Sequence, residues 1–119
     1  MRRFGFTCAG ASLLLAAVLP AGAHSLLLES SPAANAVLAE PPAEVALRFN
    51  NRIEKRLSRL QLIDAHGEAR PLAVRVDGPP DRVEAAVPPL GPGPWRLEWH
   101  VLSTDGHVVS GAFPFRIGR

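Results

Sequence analysis

The chain has 119 residues, with 13 basic and 11 acidic side chains, one cysteine and one methionine. This length allows one small hydrophobic core and leaves no room for a second domain of ordinary size. The charged residues are scattered along the chain, so it lacks the clustered positive charge of a nucleic-acid-binding surface, and we expect no nucleic acid partner.

Residues 1–23 have the pattern of an export signal. Two arginines precede the apolar run CAGASLLLAAVL, Pro20 ends that run, and the small residues Ala-Gly-Ala at 21–23 suit signal peptidase. A permanent membrane span needs about 20 apolar residues, so this run is too short to remain as an anchor. We therefore expect a soluble exported protein that starts at His24.

Removal of this signal changes the composition. Without Arg2 and Arg3 the basic residues fall to 11 and equal the 11 acidic ones, so the formal net charge becomes zero. Cys8 and Met1 are lost with the same segment. Residues 24–119 therefore offer a metal no sulfur ligand and contain no disulfide.

The pattern of residues 24–119 predicts an all-β domain. Short apolar or alternating stretches are separated by Pro, Gly, Asn and Asp, at the spacing of an Ig-like β-sandwich. The clearest alternation is WRLEWHVL, in which both tryptophans fall on the apolar face. The 12 prolines leave little scope for a long helix, because proline breaks a helix interior. Residues 52–60 are the one stretch that could form a short helix, and its second half suits a strand equally well. We predict seven strands, at 25–30, 44–49, 57–64, 70–76, 82–87, 95–102 and 108–117, with hairpin turns at 64–70 and 78–81.

Three histidines follow His24 in the chain. His66 lies in a polar predicted turn and His100 on the polar face of a predicted strand, so we expect both to be solvent-exposed. His107 ends the stretch STDGH, in which Asp105 stands two residues earlier and can direct its side chain to the same side. A D-x-H pair of this kind fits either a metal site or an ordinary surface turn closed by Asp-Gly.

A mature amino terminus at His24 would favour the metal site. Its α-amino nitrogen and imidazole Nδ1 can chelate one ion, and the pKa of an α-amino group, about 7.7 to 8.0, lets a metal compete with the proton. Together with Asp105 and His107 this gives three nitrogens and one carboxylate oxygen, a donor set that suits Cu(II). Zn(II) could use the same ligands in a tetrahedral arrangement.

The same residues carry a resemblance to a known family. An exported domain that begins with histidine, continues through SSPAANAVL and LRFN, and ends with the pattern W-x-x-x-S-x-D-G-H-x-x-x-G-x-F-x-F from Trp99 to Phe115 resembles the CopC family of periplasmic copper-binding proteins. The resemblance covers residues 24–119 and implies a Greek-key β-sandwich. It also implies that the Cu(II) ligands are His24, Asp105 and His107.

The chain departs from this family's pattern at two points. Many relatives have a second, methionine-rich Cu(I) site, whereas this chain has no methionine after residue 1, so we expect a member that binds only Cu(II). Relatives often have a carboxylate at the position of Asn51; because this chain has an amide there, an axial or outer-sphere carboxylate does not carry over from the resemblance.

These observations predict a periplasmic Cu(II)-binding protein, monomeric and not an enzyme, that sequesters copper or transfers it. A membrane copper importer of the CopD type is the partner that the resemblance implies. Two other functions stay open at this point: a copper oxygenase with a histidine brace, and an Ig-like interaction module without metal.

Overall fold

The structure, a computed structural model, describes residues 26–118. Eight strands and one turn of 3-10 helix (Lys55–Leu57) form in this part of the chain. No helix among these residues is long and apolar enough to cross a membrane. The strands are β1 (Leu27–Ser31), β2 (Val37–Leu38), β3 (Glu44–Phe49), β4 (Arg59–Ile63), β5 (Ala69–Leu72), β6 (Arg82–Ala86), β7 (Gly93–Leu102) and β8 (Val108–Ile117).

The strands form two sheets, which confirms the predicted β-sandwich. One sheet has the order β1-β3-β6, and the other has the order β2-β8-β7-β4-β5. Strand β6 pairs in the first sheet, although the strands before and after it along the chain pair in the second. The chain therefore crosses from the second sheet to the first and back again. Such crossings are typical of β-sandwiches, in which adjacent strands of a sheet are often distant in the sequence.

The core lies between the inner faces of the two sheets. In β7 the residues predicted to be apolar and inward are buried, with Leu97 and Val101 fully inaccessible to solvent. Burying one face of each strand in this way fixes the register, because a slip by one residue would expose the apolar set. The other buried hydrophobic residues are Val45, Leu47, Phe49, Ile53, Leu60, Leu62, Leu72, Val83, Ala85, Leu90, Trp95, Trp99, Phe113, Phe115 and Ile117.

Seven strands correspond to the seven predicted ones, and β3 and β8 have the predicted boundaries. The turn at 64–70 joins β4 to β5, and it closes through the Gly67 amide, which donates to the Asp64 carbonyl over 3.0 Å. Residues 52–60, left open between helix and strand, contain both a short 3-10 turn and the start of β4. The eighth strand, β2, is a two-residue parallel pairing with β8 that the sequence pattern did not predict.

Candidate metal centre

The predicted D-x-H pair lies in residues 103–107, the turn that joins β7 to β8. The Ser103 amide donates to the His107 carbonyl over 2.9 Å, and the Gly106 amide donates to the Ser103 carbonyl over 2.9 Å. Gly106 has a φ of 94°, which glycine adopts without the steric cost that other residues incur. This glycine therefore lets the chain turn tightly enough to bring Asp105 and His107 to one place.

Side-chain contacts hold these two residues together. Asp105 Oδ1 accepts a hydrogen bond from the His107 amide over 3.1 Å and lies 3.2 Å from His107 Nδ1. The Ser103 hydroxyl donates a short hydrogen bond to the same oxygen. About half of the His107 side chain and about a third of the Asp105 side chain remain exposed, so an ion from solution could reach both.

The surroundings of Asp105 favour its charged form. The hydrogen bond from the Ser103 hydroxyl lowers the pKa of Asp105 most, and the His107 amide and imidazole lower it further. A carboxylate that accepts several hydrogen bonds is harder to protonate. The Asp105 carboxylate is therefore ionised at neutral pH and can offer a metal ion a negatively charged oxygen ligand.

The third predicted ligand, His24, lies outside the described residues. Within residues 26–118 there is no cluster of three or more His, Cys, Asp or Glu side chains that could hold a metal ion. Asp105 and His107 supply one carboxylate and one imidazole, both donors that bind divalent transition metals. The complete ligand set of His24, Asp105 and His107 thus stays a prediction.

The first described residue is tied to the same end of the sandwich. The Leu26 amide donates to Asn50 Oδ1 over 2.7 Å, and the Asn50 amide donates to the Leu26 carbonyl over 3.1 Å. A few residues later, the Thr104 amide donates to the Arg52 carbonyl over 3.0 Å. The segment from Asn50 to Arg52 therefore links the start of β1 to the turn that carries Asp105.

His66, His100 and Asn51 each have local partners. The His66 backbone amide donates to Asp64 Oδ1 over 2.9 Å in the β4–β5 turn. His100 Nδ1 lies 2.8 Å from the Ser110 hydroxyl on the outer face of the β7–β8 pair. The Asn51 side-chain oxygen accepts from the next amide, that of Arg52, over 2.9 Å. Both histidines are exposed, as the sequence predicted.

Ser103 is a residue of this site that the sequence analysis did not single out. It stood in the S-x-D-G-H pattern, but serine in a turn is common and gave no reason to assign it a role. Its side chain is almost fully buried, with 1% of the residue exposed, beside a half-exposed histidine. The burial of this hydroxyl in a polar turn indicates a role at the site, and that burial can be seen only in the structure.

Comparison with known proteins supports the family that the ending pattern indicated. The profile of the CopC domain matches residues 27–118. The chain is 30% identical to the copper transport protein CutJ of Bacillus subtilis over 100 residues, which are 82% of this chain and 18% of that protein. The chain thus spans about a fifth of the length of this relative.

Two solved structures have the same fold. The crystal structure of CopC from Methylosinus trichosporium OB3b superposes with a TM-score of 0.73 and 30% identity, covering 79% of this chain and 93% of that one. The crystal structure of PcoC, a methionine-rich copper resistance protein from Escherichia coli, superposes with a TM-score of 0.65 and 26% identity. This match covers 80% of this chain and 99% of that one. Because the family profile matches nearly the whole described part of the chain, this protein belongs to the CopC family.

Proposed function

We propose that this protein is exported to the periplasm and there binds one Cu(II) ion through His24, Asp105 and His107. The observation that carries the proposal is the turn at 103–107, where an ionised carboxylate and an imidazole lie side by side and partly exposed. The relatives named for copper transport and copper resistance support copper as the ion.

The position of Leu26 supports His24 as the third ligand. His24 precedes Leu26 by two residues in the chain, and two residues of extended chain reach at most about 7 Å from the point where Leu26 is bound to Asn50. That point is joined through Arg52 to Thr104, the neighbour of Asp105. A mature chain beginning at His24 could therefore bring its α-amino group and imidazole to the Asp105–His107 pair.

The donor types favour Cu(II) over the other candidate ions. Nitrogen and carboxylate oxygen donors suit Cu(II), which also binds such sites more tightly than Zn(II) does. Cu(I) prefers thiolate and thioether sulfur, and the only sulfur-containing residues of the chain, Met1 and Cys8, precede His24. This chain thus differs from the methionine-rich PcoC in the ligands that it can offer.

Within this proposal the protein sequesters copper or transfers it, and it catalyses no reaction. The match to about a fifth of a longer copper transport protein supports a role beside such a transporter. We infer that its partner is a membrane copper importer of the CopD type and that the protein itself acts as a monomer.

Metal titration of the mature chain tests the proposal. Cu(II), Cu(I) and Zn(II) are each titrated against a competing chelator of known affinity, and the stoichiometry is read from the end point. We expect one tightly bound Cu(II), weaker Zn(II) and poor binding of Cu(I). Tight binding of Cu(I), or two equally tight Cu(II) ions, would contradict the single nitrogen and oxygen site.

A further inference from the structure

Ser103 has an unusual position for a polar residue. Among the described residues, only Ser58 and Ser103 are both polar and buried. Ser103 lies at the start of the 103–107 turn. Its backbone forms an isolated antiparallel bridge with that of Ile53, a residue of the core. Its hydroxyl lies 3.4 Å from the His107 carbonyl and closer to Asp105 Oδ1. A buried hydroxyl is expected to use its hydrogen, and here the nearest acceptor is the carboxylate.

All hydrogen bonds that the described residues make to this carboxylate go to one oxygen. Asp105 Oδ1 accepts from the Ser103 hydroxyl and from the His107 amide, and it lies beside His107 Nδ1. Donors from two directions restrict rotation of the carboxylate about its side-chain bonds. None of these contacts involves Oδ2, so they leave this oxygen available to bind a metal ion.

We propose that Ser103 is a positioning residue of the Cu(II) site, which holds Asp105 by Oδ1 and so presents Oδ2 to the ion. This inference rests on the proposed function, since it assumes that Asp105 is a ligand. A hydrogen bond to a ligating carboxylate orients it before the metal arrives, and loss of such an outer contact typically weakens metal binding by about 10- to 100-fold. The orientation is achieved during folding, because Ser103 is buried by the core rather than by the metal.

Ser58 provides a matched control. It is also buried, with 7% of the residue exposed, and its hydroxyl donates to the Glu54 carbonyl over 2.9 Å and accepts from the Leu102 amide over 3.0 Å. Its partner Leu102 directly precedes Ser103, so both serines support the same end of β7. None of these hydrogen bonds reaches Asp105 or His107.

The test compares Ser103→Ala with Ser58→Ala in the mature chain. Three quantities are measured: the Cu(II) dissociation constant against a competing chelator, the Cu(II) EPR spectrum, and the melting temperature of the metal-free protein. We expect Ser103→Ala to weaken Cu(II) by about 10- to 100-fold and to alter the EPR spectrum. Ser58→Ala should lower the melting temperature but leave the dissociation constant and the spectrum unchanged.

A second pair keeps the test valid if the alanine variant folds poorly. Ser103→Thr and Ser103→Val introduce side chains of nearly the same shape, and only threonine retains the hydroxyl. We expect the threonine variant to bind Cu(II) more tightly than the valine variant, with a spectrum closer to that of the wild-type protein. Equal affinities and equal spectra for this pair would overturn the inference.

Combination with Asp105→Ala separates this inference from the proposed function. If Ser103 acts through Asp105, Ser103→Ala should have almost no further effect once Asp105 is absent, because interacting residues are not additive. An equal loss in both backgrounds would overturn the positioning role. If Asp105→Ala weakens Cu(II) but Ser103→Ala does not, only this inference fails. If Asp105→Ala has no effect, the ligand assignment fails as well.

Discussion

At the scale of single residues, hydrogen-bond partners distinguish the described histidines. The His107 amide donates to Asp105 Oδ1, and the His107 ring nitrogen Nδ1 lies close to the same oxygen. The imidazole is therefore next to an anionic oxygen. The ring of His100 instead lies against the Ser110 hydroxyl, a neutral partner on the neighbouring strand. His66 takes part in its turn through its backbone amide, which any residue but proline could supply.

These differences predict how alanine substitutions affect copper binding. His107→Ala or Asp105→Ala should weaken Cu(II) by more than the roughly 100-fold upper range for outer contacts, because each removes a proposed ligand of the metal. His66→Ala and His100→Ala serve as controls and should change the dissociation constant by less than about twofold. Competition with a chelator measures all four variants. Similar losses in the four proteins would contradict the ligand assignment.

At the scale of elements, the β7–β8 hairpin depends on a close approach between Trp99 and Gly111. These residues are directly opposite each other in the antiparallel pair, and the indole ring lies over the glycine. A Cβ atom added to Gly111 would lie 2.7 Å from Trp99 Cε2, a distance at which the buried ring has to move. Glycine at position 111 therefore makes room for the tryptophan.

We predict that Gly111→Ala destabilises the protein by about 1 to 3 kcal/mol, the usual cost of overpacking a core. Urea unfolding of the metal-free protein, followed by the tryptophan fluorescence, measures the free energy of unfolding. Gly91→Ala is the control, since a Cβ atom at Gly91 meets nothing within 4 Å. Equal stability of the two variants would mean that Trp99 can shift without cost.

The turn between β4 and β5 gives a prediction about acid stability. The Glu68 and His66 amides both donate to Asp64 Oδ1, and these bonds, that of Glu68 first, hold the pKa of Asp64 below its usual value of 3.8. The unfolded chain thus takes up this proton more readily than the folded one. The contribution of Asp64 to stability is therefore complete above the unfolded pKa and is lost as the pH falls through the folded pKa.

We expect Asp64→Asn to reduce this dependence on pH, because the amide oxygen can still accept both hydrogen bonds but does not titrate. The urea midpoint is compared at about pH 6 and about pH 3, on either side of the pKa of about 3.9 that an aspartate has in the unfolded chain. The difference between the two midpoints should be smaller in the variant than in the wild-type protein. Asp77→Asn is the control, since the Asp77 carboxylate has no hydrogen bond within residues 26–118, and an equal change in this control would refute the role of Asp64.

Sequence pattern predicted those elements that are determined by local alternation. β3 and β8 have the predicted boundaries because each alternates in burial over most of its length. β2 was not predicted because a pairing of only Val37 and Leu38 depends on β8, which lies far along the chain. The same reason applies to Gly111, whose role comes from its cross-strand neighbour Trp99. Ser103 lies only two residues from its partner Asp105, but its burial depends on distant residues such as Ile53, with which it forms a bridge.

At the scale of the whole molecule, one end of the sandwich brings together segments that are distant in the chain. β1 begins there, β3 ends there, and the 103–107 turn lies beside residues 52–54. The Glu54 amide donates to the Leu102 carbonyl over 2.8 Å, and the Ile53–Ser103 bridge continues this contact. The sandwich therefore provides a rigid base for the turn, next to the place where the chain enters β1.

This arrangement makes the chemistry of residue 24 the decisive feature of the proposed site. We predict that a protein with one extra residue before His24 folds normally but loses much of its Cu(II) affinity. The added residue converts the α-amino group into a peptide amide, which is a poor donor at neutral pH and breaks the two-point chelate. Its Cu(II) EPR spectrum should change as well, although every side chain is intact.

The mature chain and the extended chain are compared in the same buffer against the same competing chelator. Melting of the metal-free proteins is the control, and it should be the same for both, since residues 26–118 form the sandwich. The affinity of the mature chain should also fall as the pH drops below about 8, because an α-amino group, with a reference pKa of about 7.7 to 8.0, then takes up a proton that competes with the metal. If both forms bind Cu(II) equally and give the same spectrum, the amino terminus is not a ligand, and Asp105 and His107 must bind the ion with side chains alone.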